Sequence, residues 1–349
     1  MNFRELDGKS YGCLPGCGFC CTFPAAVTPP ERRKLQAAGK GGAVKESKGT
    51  LTLTLQGGCG ACVLLKERAC TAYAARPSPC RYFPFHVYFG RELEVYVDHT
   101  CRGVVRDPGS NLLDAFASHV TAHVPREHLQ QEAAKARAVH GQFERLAREH
   151  GVWEDPDAAL LDLLRPGPDL FTEAGMRAIV EAAGDDEAPG ALLANAVEAW
   201  DAPNPVHRPY YLDPATRWLT YAREGTRLRV LELHEDGRFT RHHLVDGLTG
   251  WVDPAPAERE ALYDYLRHLA SRDAFLGGAF HLLDEHDYAA PLRQAIAVRL
   301  GEVVVDLVLR ARLIPATLQR ALPPAELAEE VARFYDSDFL DAPTIGGYL

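Results

Sequence analysis

The placement of cysteine limits what this chain can fold into. Nine cysteines occur, all within the first 101 residues, and the 248 residues that follow contain none. Four of them, Cys13, Cys17, Cys20 and Cys21, crowd into nine positions. Cys59, Cys62, Cys70 and Cys80 follow, and Cys101 closes the set. Thiols this dense and this segregated are not ordinary core packing; they form disulfides or bind metal. Met1 to Tyr11 carries Arg4, Glu5, Asp7 and Lys9 and no apolar h-region, so no secretory signal is visible. A cytoplasmic setting keeps thiols reduced, and there such a set points to metal. An odd total also fits complete internal pairing poorly.

The local sequence supports metal. Gly16 and Gly18 lie inside the first cluster, where a loop around a metal needs backbone N–H groups turned toward sulfur and often positive φ. Cys59-Gly60-Ala61-Cys62 is a two-spaced knuckle that lets two thiolates reach one ion at about 2.3 Å each. Cys70 and Cys80 flank a segment whose Pro77 and Pro79 stiffen the approach. Cys20 and Cys21 are adjacent, and neighbouring side chains in extended backbone point to opposite faces. Either one is a spare thiol or the pair bridges two centres. Nine thiols supply two four-ligand sites with one left over, or one site with several in reserve.

Cys70-Thr71-Ala72-Tyr73-Ala74-Ala75-Arg76-Pro77-Ser78-Pro79-Cys80-Arg81-Tyr82-Phe83-Pro84, followed by Cys101-Arg102-Gly103, carries a specific likeness. With the opening cluster, residues 13–103 resemble the YkgJ-type CxxCxxCC cysteine-cluster family, zinc- or iron-chelating proteins related to flagellin lysine N-methylases. Two departures stand out: three residues separate Cys13 from Cys17, and Ala72 stands where Ile is usual. The resemblance implies a zinc or iron–sulfur site and, through the related methylases, protein lysine methylation or a redox step. The ligand pool is Cys13, Cys17, Cys20, Cys59, Cys62, Cys70, Cys80 and Cys101, with Cys21 as a ninth member.

Crowded, irregular spacing suits an iron–sulfur cluster better than zinc, which commonly takes two separate knuckles. Tyr82, Phe83, Phe85, Tyr88 and Phe89 are candidates to keep water from a cluster, or simply to form the small domain's core. Cys13-x3-Cys17-x2-Cys20, with Phe19 before the last cysteine, also resembles the radical S-adenosylmethionine motif, which would make S-adenosylmethionine a cosubstrate. No regular strand–helix alternation follows it, as a βα barrel would require. No strand–GxGxxG–helix fingerprint of a Rossmann-type methyltransferase appears.

Charge divides the chain. Residues 1–110 hold 15 Lys+Arg against 9 Asp+Glu, while the whole chain is net −10. Metal thiolates leave residual negative charge for these cations to offset, so local neutralisation is the simpler account and nucleic acid is not the expected partner. A protein substrate or partner is. No run of about 20 uncharged apolar residues suggests a membrane span.

Periodicity gives an α+β reading: a loop-rich cysteine domain at 1–110, a helical region at 111–205, and a small antiparallel sheet plus helices at 206–349. Pro29-Pro30 opens a short helix. Gly39 to Gly49 reads as a flexible loop and Leu51 to Leu55 as a strand. A hairpin is predicted from Phe85–Tyr88 and Leu93–Val97 around Gly90-Arg91. Asn111 caps a helix that Pro125 separates from a long one ending near His150. Asp201 to Pro205 reads as a linker. Arg217–Ala222, Leu228–His234 and Phe239–Val245 form a three-stranded meander turning at Glu224-Gly225 and Asp236-Gly237. Helices are expected near 256–272, 287–312 and 325–335.

Other chemistry-bearing residues read more plainly. His119 and His123 sit at i, i+4 but lack the HExxH glutamate, so solvated helix histidines are expected. His281 and His286, with Asp284, Glu285 and Asp287, read as a polar loop and cap. His234, His242 and His243 do not converge when His234 pairs with Phe239. Arg81 and Arg102, each following a cysteine, suit thiolate stabilisation, anion binding or plain solvation. No P-loop and no G-x-S-x-G elbow appears. The alternative to an enzyme is a structural zinc module on an interaction scaffold.

Overall fold

The computed structural model describes residues 2–47, 49–200, 208–246, 248, 250–339 and 345–347. The first half runs β1 (Asp7–Tyr11), α1 (Pro29–Ala37), β2 (Val44–Ser47), β3 (Thr50–Leu53), β4 (Leu65–Lys66), β5 (Ala69–Cys70), α2 (Ser78–Tyr82), β6 (Phe85–Phe89), β7 (Leu93–Val97) and β8 (Val104–Asn111). Helices α3 (Leu113–Phe116), α4 (Arg126–Glu149), α5 (Pro156–Leu163), α6 (Glu173–Ala182) and α7 (Pro189–Ala199) follow. Then come β9 (Tyr211–Leu212), β10 (Trp218–Glu224), β11 (Arg227–Leu233), β12 (Phe239–Val245), α8 (Pro256–Ala270), α9 (Asp273–Glu285), α10 (Leu292–Leu318), α11 (Pro324–Asp336) and β13 (Ile345–Gly347). The class is α+β: small sheets, mostly antiparallel, beside a mainly helical region.

Local chemistry accounts for most boundaries. Two prolines open α1, and the Thr28 amide and hydroxyl both donate to Glu31 Oε2, at 2.9 and 2.8 Å, which closes the first turn. The β6–β7 hairpin pairs Phe85 with Val97 and Phe89 with Leu93, turning through Gly90, Arg91 and Glu92 as expected. Asn111 Oδ1 accepts the Leu113 amide at 2.7 Å and starts α3. A π-turn (Ala117–Thr121) continues it, and Pro125 then opens α4.

Some expectations change. Gly39 to Gly49 is not all loop: β2 pairs with β3 from Val44–Leu53 to Ser47–Thr50. The lone alternating strand needed a partner for its backbone groups, and this segment supplies it. The meander has a fourth strand in the order β12-β11-β10-β9, since β9 is too short to leave a periodic signal. The helix expected from 287 starts at Leu292, after Pro291. A separate helix, α9, precedes it, hidden in sequence by Gly277-Gly278. His281 therefore lies within a helix, exposed, 3.9 Å from Glu285, and not in a loop. Asp201 to Pro205 falls outside the described residues.

Two main cores result. One gathers Leu6, Phe85, Val87, Val95, Val97, Phe116 and Leu129 around β6–β7. The other surrounds α10, which is buried on nearly every side, and takes in α5 to α9, the meander and α11. Helix α4 joins them: Leu129 and Ala133 enter the first core, Phe143 and Ala147 the second. No described helix is long and apolar enough to cross a membrane. Two segments far apart in the chain meet one hairpin: Asn2 forms an isolated bridge to Glu94 on β7, and β13 pairs in parallel with β6.

Candidate metal centre

Backbone pairing brings the distant cysteines together. Strand β1 pairs with β8, Tyr11 opposite Val104, and the Gly12 amide donates to Gly103 O at 2.9 Å. That ladder sets Cys13 beside the loop of Cys101. The Cys62 amide donates to Cys21 O at 2.7 Å, and β4 pairs with β5 so that Leu65 faces Cys70. Cys80 lies on α2. The crowded loop turns at Gly18, whose φ is 63° and whose missing Cβ would press on Leu65 and Trp218. A side chain there is strained twice over.

Cys21, Cys62, Cys70 and Cys80 gather on one small core, Cys13, Cys17 and Cys101 lie around Cys20, and Cys20 is within electrostatic reach of both groups. Cys62 is buried in a small core against which Cys21, Cys70 and Cys80 pack. Burial raises the Cys80 thiol, and Cys20, Cys62 and Cys70 raise it further. Burial pushes Cys62 up to about 11, with help from Cys70 and Cys20. On the other side, burial raises Cys13 and Cys17, each with Cys20 as a charged neighbour. Burial also raises Cys101, with Cys20 and Cys17 beside it. A hydrogen bond from the Cys21 thiol lowers Cys20, and the same bond, then burial, raises Cys21. Cys13 and Cys20 are exposed.

Cys59 is placed elsewhere. Its thiol faces the Gly237 carbonyl at 3.5 Å, in the β11–β12 turn, and Arg208 is its charged neighbour. Gly60 fits this turn closely, since a Cβ on it would strike the Glu235 and Gly237 backbone. The Cys59-Gly60 end of the two-spaced pair docks on the meander.

Backbone amides are turned toward sulfur, as a metal loop requires. Phe19 N–H reaches Cys17, Leu64 and Leu65 N–H reach Cys62, and Gly103 N–H reaches Cys101; each bond lowers its thiol against burial. Among the cations, Arg76 lowers Cys13, Cys20 and Cys80, and Arg68 lowers Cys17. Arg76 and Arg68 are thus the cations beside these thiols that offset their charge. Arg76 stacks on Tyr73 at 3.6 Å and donates to Cys80 O at 3.2 Å. Among the described residues, no three His, Cys, Asp or Glu side chains close on one ion-sized point. The donors fit a metal all the same: their thiolates would repel one another, neighbouring amides meet Cys17, Cys62 and Cys101, and a cation's charge would offset that repulsion.

Residues far along the chain complete the site. Trp218 Nε1 donates to Cys17 O at 3.1 Å, and Arg68, 3.8 Å over the Trp218 ring, donates to the same oxygen at 3.0 Å. Tyr11 sits among Cys101, Cys13 and Cys20, its hydroxyl pKa raised first by burial and then by those thiols. No spacing rule marks Trp218 or Tyr11 in the sequence. Of the residues singled out there, Arg102 is neither solvated nor facing sulfur: it pairs with Glu330. Arg81 bonds Ser78 Oγ at 3.1 Å and lies 3.5 Å from Glu31. His119 is not solvated; it packs on Tyr11 and Phe85 and meets Arg81 O at 2.8 Å. Tyr82, Phe85 and Phe89 are core residues. Leu233, not His234, stands opposite Phe239, yet the three meander histidines still diverge: His234 meets Thr240, His242 meets Glu232 and His243 meets Ala316 O.

These features define a cysteine-cluster metal-chelating segment. Residues 12–102 match the model of the CxxCxxCC family, described as "Putative zinc- or iron-chelating domain". Over those residues the N-terminal segment is similar to that family. No curated protein and no solved structure gave a match to this chain.

Proposed function

We propose that this segment binds two iron–sulfur centres through separate thiolate sets: Cys13, Cys17, Cys20 and Cys101 in one, and Cys21, Cys62, Cys70 and Cys80 in the other. The observation that carries this reading is the packing of Cys21, Cys62, Cys70 and Cys80 on one small core, with Cys13, Cys17 and Cys101 gathered around Cys20 and Cys59 apart from both groups. A single Zn²⁺ holds each sulfur at about 2.3 Å, so its four sulfurs stand only about 3.8 Å apart. A cluster spaces its ligands more widely, which suits thiols gathered within electrostatic reach but not closed on a point. The dependence on free thiolates favours a reducing, cytoplasmic setting.

The two sets differ in access. Cys13 and Cys20 lie at the surface, so the first set is where a substrate or redox partner would reach the metal. When bound, a cluster there would supply electron transfer; an iron open to a cosubstrate such as S-adenosylmethionine would require Cys101 to leave, with Cys13, Cys17 and Cys20 as the three remaining ligands. The second set is part of a small apolar core, and its burial favours a structural role. Structural metal contributes about 10–16 kcal/mol to small domains of this kind, and zinc in that set would serve equally as a staple.

Anaerobic purification with iron, sulfide and zinc counted per chain tests the reading. The expected result is a brown protein absorbing near about 400 nm, with iron and acid-labile sulfide for two clusters. A colourless protein with stoichiometric zinc in both sets rejects iron–sulfur binding. A chain that takes up neither metal rejects the chelating role.

A further inference from the structure

Helix α11 grips the loop of Cys101 at every residue from 99 to 102. Asp336 Oδ2 accepts the His99 amide at 2.9 Å and meets His99 Nδ1 at 2.8 Å. Thr100 Oγ1 donates to Arg333 O at 3.0 Å. Arg333 Nη1 donates to His99 O at 3.1 Å and to Cys101 O at 3.4 Å. Arg102 forms a two-pronged pair with Glu330, which also accepts the Tyr211 hydroxyl at 2.5 Å, and it clasps Leu212 O at 2.7 Å.

The three helix residues follow at i, i+3 and i+6, one stripe of a single face. All three are buried, Glu330 at 5%, Arg333 at 9% and Asp336 at 1% exposure. A buried stripe of charge is costly unless it is held in fixed partnerships; Tyr211, Tyr265, Arg272 and Glu329 supply some of them, and His99, Thr100, Cys101 and Arg102 of one cysteine loop more than 200 residues earlier supply the others.

We propose that α11 positions Cys101 and that occupancy of the first thiol set is thereby coupled to the docking of α11 on the cysteine domain. This rests on the assignment of Cys101 to that set. Glu330, Arg333 and Asp336 are positioning residues: they touch no metal and act through the backbone of residues 99–102. Linkage makes the coupling mutual: if a docked α11 favours metal in the first set, metal there favours the docked α11. The second set, held by β4, β5 and α2, has no bond to this helix among those described, and serves as an internal control.

The test uses the full chain reconstituted anaerobically with iron and sulfide. Chelator extraction is followed in wild type, Glu330→Gln and Arg333→Met, with hydrogen exchange of α11 before and after extraction. Lost outer-sphere bonds commonly weaken metal sites about 10- to 100-fold. We expect one of the two centres to be extracted at least about tenfold faster in each variant while the other keeps its wild-type rate. We also expect α11 amides to exchange faster in the metal-free wild type. The retained second centre shows that a variant has folded. Unchanged extraction in both variants, equal weakening of both centres, or α11 exchange indifferent to metal overturns the proposal. A wild type without metal fails earlier, at the centre assignment itself.

Discussion

Cys20 and Cys21 share a peptide bond and a hydrogen bond, yet their surroundings differ: Cys21 packs on the small core of Cys62, Cys70 and Cys80, while Cys20 also has Cys13, Cys17 and Cys101 as charged neighbours. Single substitutions should therefore separate the centres. Cys20→Ser and Cys21→Ser are each expected to halve the metal content, and Cys59→Ser to leave it whole, read by metal analysis per folded chain. Sequence spacing revealed the crowded cluster and the Arg76-Pro77 to Cys80 run, because those ligands sit on one short stretch. It did not show that the Cys59 thiol faces the β11–β12 turn, since spacing measures reach along the backbone and not the direction of a thiol. Nor could it reveal Trp218 or Glu330, whose partners come from distant segments.

A second residue makes a prediction in pH. Burial pushes the Glu94 carboxyl up to about 7, with Glu5 and Asp273 adding to the rise against the Asp273 amide and Arg272. Its folded pKa thus exceeds the unfolded value of about 4.3. The folded state binds the proton more tightly, so this contribution to stability is complete below about pH 4.3 and is lost as pH rises through about 7. Glu94→Gln should consequently stabilise the protein at pH 8, on the order of 1–3 kcal/mol, and do little at pH 4. Denaturant midpoints at the two pH values check this; equal shifts at both would refute it. Asp336 behaves oppositely: burial would raise it, but Arg272 and His99 hold it well below the usual carboxylate range. Its contribution is present above about pH 4 and is lost as pH falls below that.

Among the elements, α4 reaches both main cores, and much of its middle is exposed. Gly141 lies there with nothing within 4 Å of where a Cβ would go, and its φ is not positive. Gly141→Ala should stabilise the helix by about 0.5–1 kcal/mol, visible as a higher thermal midpoint with unchanged metal content. Elements bounded by proline, such as α1 and α4, were legible because proline acts on its own few residues. Strand β9 and helix α9 were not. The first is two residues long, and in the second Gly278 leaves room for Arg299 of α10, a packing reason that propensity does not express.

Across the whole molecule, charged side chains tie the hairpin domain to the helices. Arg91, at the β6–β7 turn, meets Asp273 at 2.6 Å and Asp157 at 2.7 Å. Arg272 of the same junction joins Glu5 at 2.7 Å to Asp336 at 3.3 Å. Arg91→Ala would leave the buried Asp273 carboxylate without its cation and should cost about 1–3 kcal/mol, measured by urea denaturation. Bipartite charge was visible in the sequence; that its contacts would knit the two parts together was not.

The parallel pairing of β13 with β6 has a consequence in time. Residues 85–89 leave the ribosome about 250 residues before Ile345 does, and at roughly 5–20 residues per second that is a delay of about 13–50 seconds. During it the β6 edge is a bare template, and the nascent thiol-bearing segment lacks both its closing strand and the helix that braces Cys101. Whatever loads these cysteines early must do so on an unfinished scaffold, under the care of whichever chaperones shield an open strand.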